Sequence, residues 1–156
     1  MPARTRYETN VCVLLHRSGR WLLSVRAADV DYAPGQVGLI GGHVEPVLGP
    51  DVLETTARRE ALEETGLDLT DVHLCYLGSE LYRGTTGQPV LTVTFVGELP
   101  AGREAQVADC SELTAVGWWS LDELAAADVS PWLLPLVASA ERVLPSASGG
   151  DRPPAC

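Results

Sequence analysis

Two short apolar runs open the chain, Val11-Cys12-Val13-Leu14-Leu15 and then Trp21-Leu22-Leu23 with Val25, separated by Ser18-Gly19. Runs of this length around a turn dipeptide predict a β-hairpin. Residues 29–37 carry a Pro-Gly pair and read as a loop, and 38–42 (GLIGG) reads as a short strand running into glycines. The next segment, VLETTARREALEET, is made of good helix formers. Asp51 stands where a cap belongs, and Gly66 where a helix ends on a left-handed residue. Strand composition returns at 72–82 and 90–99, the second alternating as Val-Leu-Thr-Val-Thr-Phe-Val, with RGTTGQP as the intervening turn. A polar loop over 100–114 precedes a last strand at 115–119. A short helix capped by Ser120 follows at 121–126, then a helix near 131–144 with Pro135 in its first turns. The tail from 145 to 156 has the composition of a flexible segment. Strands before, between and after helical segments predict an α/β fold, a mixed sheet between helices, as one domain over 1–144.

Charge narrows the functional classes. The chain has 156 residues with 11 basic against 21 acidic, and every basic residue other than histidine is Arg. A net charge of −10 argues against a protein that coats duplex nucleic acid. A phosphorylated ligand remains compatible with such acidity where a divalent cation bridges carboxylate to phosphate. No apolar stretch has bilayer length and MPARTRYETN lacks a signal-peptide core, so a cytoplasmic protein without a membrane partner is expected. Cys12, Cys75, Cys110 and Cys156 are too scattered for a zinc site or a disulfide framework and read as idle thiols.

The helix at 52–65 carries Glu60, Glu63 and Glu64 at i, i+3 and i+4, where side chains are neighbours. At about 100° per residue, Glu60 and Glu64 share the face of Leu53 and Ala57, so two acids point toward the core. Like charges so placed repel unless a cation or an Arg compensates. A hard divalent ion with oxygen ligands meets that need, although a solvated acidic face would also explain E-x-x-E-E taken alone.

Gly41-Gly42-His43-Val44-Glu45, followed by Arg59-Glu60, Glu63-Glu64 and Gly66-Leu67, resembles the Nudix box, G-x5-E-x7-R-E-U-x-E-E-x-G-U. The resemblance extends over about 8–144 and implies the Nudix α/β/α sandwich. Two departures stand out. Eight residues rather than five separate Gly42 from the next acid, so 46–50 (PVLGP) contains a three-residue insertion, and that acid is Asp51 in place of Glu. The shorter Asp51 either fails to reach a metal or only caps the helix.

The resemblance implies Mg²⁺-dependent hydrolysis, with Mn²⁺ as an alternative, of a pyrophosphate linkage in a nucleoside di- or triphosphate derivative. ADP-ribose, a nucleotide sugar or a non-catalytic nucleotide-binding role are the competing readings. It implies Glu60 and Glu64 as main metal ligands, Glu63 as a further or water-mediated one, and the Gly42 carbonyl as an additional oxygen donor. Arg59 would orient the glutamates, and Glu64 or Glu63 would be the base. Glu45 either contacts metal or forms a salt bridge. In some relatives a distant loop supplies the base, which makes Glu98, Glu104, Asp109 and Glu112 candidates. Tyr32, His43, Tyr82 and Arg83 are candidates for substrate contact at predicted loop edges, and Trp118, Trp119 and Trp132 read more readily as core. Many members of the family dimerise, so a homodimer is compatible with the resemblance.

Overall fold

A computed structural model describes residues 5–144; the tail expected over 145–156 and Cys156 lie outside them. Strand β1 (Glu8–Arg17) turns through Ser18 and Gly19, both left-handed, into β2 (Arg20–Arg26). A two-residue turn of this kind matches the twist of an antiparallel hairpin, and the pairing is antiparallel, Leu15 facing Leu22. Two further strands, β3 (Val37–Gly38) and β4 (Ile40–His43), precede helix α1 (Val52–Thr65). Strands β5 (Cys75–Arg83) and β6 (Pro89–Glu98) form a second hairpin, and β7 (Leu113–Trp119) leads into α2 (Leu121–Ala126) and α3 (Leu133–Ala140).

The sheet is mixed, ordered β3-β2-β1-β6-β5, with β4 on β1 and β7 on β2. Strand β1 is its spine. One edge pairs with β6 in parallel along its length, and the other is shared between β2 at the Leu15–Arg17 end and β4 at the Asn10–Val13 end. Alternation along β1 then separates two cores. Val11, Val13 and Leu15 pack with Ala57 and Ala61 of α1, while Leu14 packs with Trp21, Leu133 and Val137 on the opposite face. The small Ala57 and Ala61 let α1 lie close to the sheet. Trp118 and Trp119 are half-buried against these cores, as expected, whereas Trp132 is 41% exposed. Among the described residues no helix is long and apolar enough to cross a membrane.

Several boundaries depart from the sequence reading. The single strand expected at 38–42 is two, because Val37–Gly38 pairs with β2 and Ile40–His43 with β1. Val72 and Leu74 are buried without belonging to a strand: their apolar character reflects core packing. Helix α3 is confined to Leu133–Ala140. Asp51 stands at the start of α1 with φ 52°, a left-handed conformation costly for a residue with a Cβ, and its side chain makes no cap bond. Gly66 ends the helix as expected, left-handed, its N–H donating to Leu62 O. Ser120 caps α2 through a reciprocal capping box with Glu123.

Candidate active site

Strand β4 brings Gly41 and Gly42 against the last two turns of α1. The Gly41 N–H donates to Glu64 Oε2 at 3.0 Å. A Cβ built on Gly42 would stand 2.5 Å from the Glu60 carboxyl carbon, so the absence of a side chain there makes room for that carboxylate. Gly41 has φ 155° and its Cβ would meet the backbone of β1 at 2.2 Å. Both positions need glycine for close approach.

The three box glutamates have different environments. Glu64 is 3% exposed. Burial pushes its carboxyl up to about 7; the Gly41 N–H pulls it back, the charges of Glu60 and Glu112 push it further, and Arg26 counters them. Glu60 is also raised, first by burial and then by Glu63 and Glu112, against the opposing pull of Arg59. Glu63 is half exposed and turned to Arg59, whose Nη1 lies 2.8 Å from its Oε2. Arg59 Nη2 lies 2.7 Å from Glu60 Oε1 and donates to His43 O at 3.0 Å. Burial alone would lower the Arg59 pKa, but Glu60, Glu63 and Glu45 together raise it. One planar fork thus ties two glutamates to the end of β4.

The donor chemistry fits a hard divalent cation. Two inward carboxylates sit beside a glycine turn cleared of side chains, and the more buried one is raised well above the ordinary carboxylate range by burial. Among the described residues no three His, Cys, Asp or Glu side chains are gathered into a ready metal-holding group. Glu63 is accordingly placed at the Arg59 edge of the site. Glu45 lies 3.9 Å from Arg59 Nη1, so its observed partner is the guanidinium.

Four loop acids were equivalent in sequence, and three are engaged elsewhere. Glu98 pairs with His16 at 2.6 Å, Glu104 with Arg17 at 3.5 Å, and Asp109 accepts from its own turn at Ser111. Only Glu112 of the four raises the pKa of both Glu60 and Glu64. Its position has a local cause. The loop before it is tied to the end of α1, the Gln106 N–H donating to Thr65 O and the Ala108 N–H to Glu64 O. A bulge between β2 and β7, where Val25 faces Ala115 but Arg26 faces Leu113, then lets the Ala27 N–H bond Glu112 O. Bulges commonly re-aim side chains beside sites.

A cleft of about 680 Å³ opens from the glycine turn onto the α3 face of the sheet. Tyr32 and Tyr82 line it, as does the exposed Trp132. A neighbouring hollow of about 480 Å³ adds His43 and Glu112. Arg83 lines neither; its Nη1 donates to Gly87 O across its own hairpin turn. Arg26, which the sequence reading passed over as a strand end, lines both hollows and donates from Nε to Tyr32 O at 2.8 Å. A charged residue closing an apolar strand before a Pro-Gly loop was the only sequence signal for it. Cys12 also lines the cleft, its thiol pushed up to about 12 by burial and by Glu64 and Glu60, an inert state as expected.

A sheet between helices, with a glycine turn clasping a carboxylate-bearing helix, defines a class of hydrolases acting on phosphorus-containing anhydrides. The family model of the NUDIX domain matches residues 6–140, and the chain belongs to that family. It is 29% identical over 132 residues to a protein named nucleoside triphosphatase NudI from Enterobacter sp. (strain 638), covering 80% of this chain and 90% of that one. A NudI of Klebsiella pneumoniae (strain 342) is 44% identical over 69 residues, covering 44% of this chain and about half, 47%, of the relative's own length. The fold is similar to a MutT NUDIX hydrolase from Burkholderia pseudomallei (24% identity, TM-score 0.70, 89% of this chain and 99% of that one). It is also similar to a MutT protein from Methanosarcina mazei Go1 (22% identity, TM-score 0.71, 90% and 96%).

Proposed function

We propose that this hydrolase cleaves the pyrophosphate linkage of nucleoside triphosphates with Mg²⁺, or Mn²⁺ in its place. The observation that carries the reading is the pair Glu60 and Glu64, two inward carboxyls raised by burial at a turn where Gly42 leaves room for oxygen donors. The name of the Enterobacter relative, matched over most of both chains, supports the triphosphate as substrate.

In this reading Glu60, Glu64 and the Gly42 carbonyl hold the cation, which neutralises charge on the phosphoryl oxygens when bound. Arg59 holds Glu60 and Glu63 in place through its fork. Arg26, at the junction of the two hollows, binds phosphate oxygens of the substrate. Glu112 accepts the proton of the attacking water at its carboxylate, a role supported by its place in the hollow beside Gly41 and Gly42 and by its charge acting on Glu60 and Glu64, while the other loop acids are paired elsewhere. Tyr32 and Tyr82 contact the nucleoside from the cleft.

The test is phosphate and pyrophosphate release from nucleoside triphosphates, ADP-ribose and nucleotide sugars, with Mg²⁺, Mn²⁺ or EDTA. Metal-dependent release from triphosphates is expected, and release from ADP-ribose alone would overturn the substrate assignment. Glu112→Gln is expected to lower kcat by about 10² or more with KM little changed, whereas Glu104→Gln keeps full turnover. Equal turnover by both variants would remove Glu112 as the base.

A further inference from the structure

The floor of the cleft is set by cross-strand register. Asn10 of β1 faces Thr92 of β6, which faces Glu80 of β5. One step along, Cys12 faces Thr94, which faces Gly78, and Gly41 faces Cys12 from the other edge. All of these line the same cleft. A row of small side chains therefore lies beside a polar row that spans about 10 Å across three strands.

The polar row is rich in acceptors. Asn10 Oδ1 is buried and has no hydrogen-bond partner, a state that costs stability unless something donates to it. The Thr92 hydroxyl donates to Tyr82 Oη at 3.5 Å, which leaves its lone pairs free to accept. Glu80 is the one acidic side chain among the residues lining the cleft and Arg26 the one basic one, the latter at the junction with the second hollow. The cleft thus carries one positive side chain, Arg26, and a row of acceptors that starts at Asn10, which also lines the second hollow, and runs outward through Thr92 to Glu80.

Resting on the triphosphatase reading above, we infer that the Asn10–Thr92–Glu80 row selects nucleobases that carry an amine at the 4 position of a pyrimidine or the 6 position of a purine, the flat ring lying over the small-residue row with its amino edge toward the acceptors. A 4-oxo or 6-oxo base presents a carbonyl oxygen where the amine would donate, and that oxygen faces a carboxylate.

Two substrate pairs differ at this edge alone, by the amine and by the adjacent ring nitrogen, which carries a hydrogen only in the oxo member: CTP against UTP, and ATP against ITP. The amino member of each pair is expected to have the higher kcat/KM by about tenfold, and Glu80→Gln to reduce that ratio toward unity. Equal rates within both pairs, or preference for the oxo member, would overturn the inference. Calorimetric binding of CMP and UMP separates this from the hydrolysis reading. Tighter CMP binding by a protein that turns over no triphosphate upholds the cleft assignment while sinking the activity, and equal CMP and UMP binding sinks the cleft assignment whatever the turnover. Asn10→Leu, similar in volume, is expected to weaken CMP binding more than UMP binding; equal weakening of the two would count against Asn10.

Discussion

Replacing Glu64 with Gln removes one charge and little else, since the amide oxygen can still accept the Gly41 N–H. In the metal-free fold this carboxyl is pushed up to about 7 from an ordinary 4.5. Between those values the folded chain holds a proton that the unfolded chain has released, so stability falls as pH rises through the window and the full cost is present above it. The shift corresponds to about 3 kcal/mol, or roughly 10 °C in Tm for a domain of this size. In EDTA at pH 8, Glu64→Gln is therefore expected to melt well above the wild type, and the gap should close toward pH 5. With Mg²⁺ at pH 8 the order reverses in function: the wild type gains stability and turns over substrate, while the variant gains little and loses activity by orders of magnitude. Thermal melts across pH 5–8 with and without EDTA, alongside turnover, read all of this. A Tm difference independent of pH, or a variant with full activity, would refute the argument.

Gly42→Ala drives a methyl into the Glu60 carboxylate; because that is the end of a flexible side chain, the fold should survive with Tm lowered by a few degrees, while calorimetry should show weakened Mg²⁺ binding. Arg59→Lys keeps the charge but cannot bridge Glu60, Glu63 and His43 O together, so kcat is expected to fall by about 10- to 100-fold with stability nearly intact, and unchanged kinetics would mean the fork is dispensable. Asp51→Gly relieves a left-handed residue that makes no cap bond and should add about 1 kcal/mol in urea unfolding; destabilisation would show that the carboxylate has a partner role at the helix start.

What was legible in the sequence was local. The hairpin through Ser18-Gly19 and helix α1 with its Gly66 stop follow from residue patterns over short stretches, and each stands where expected; that the glycine turn belongs with Arg59, Glu60 and Glu64 followed from the resemblance to the Nudix box. Choices of partner were not legible. Whether Gly38 and Ile40 belong to one strand depends on β1 and β2 competing for them. Glu112 could not be singled out from Glu98, Glu104 and Asp109, because its position is set by a bulge in β7 and by amides bonding to the far end of α1. Arg26 was hidden for the same reason. Asp51 looked like a cap by residue type, but its backbone is left-handed rather than extended as a capping residue's is, and its carboxylate makes no bond to the helix N–H groups.

Glu64 joins three separate stretches of chain. Its carboxylate receives the Gly41 amide, its carbonyl receives the Ala108 amide, and its helix carries Glu60. Anything that titrates or ligates that single residue must therefore be felt by two backbone amides 67 positions apart in sequence. Gly41 and Ala108 are consequently built-in spectroscopic reporters: isotope labelling at those two sites would let an NMR titration follow Glu64 from its carboxylate and from its main-chain carbonyl, without substrate and without altering a side chain.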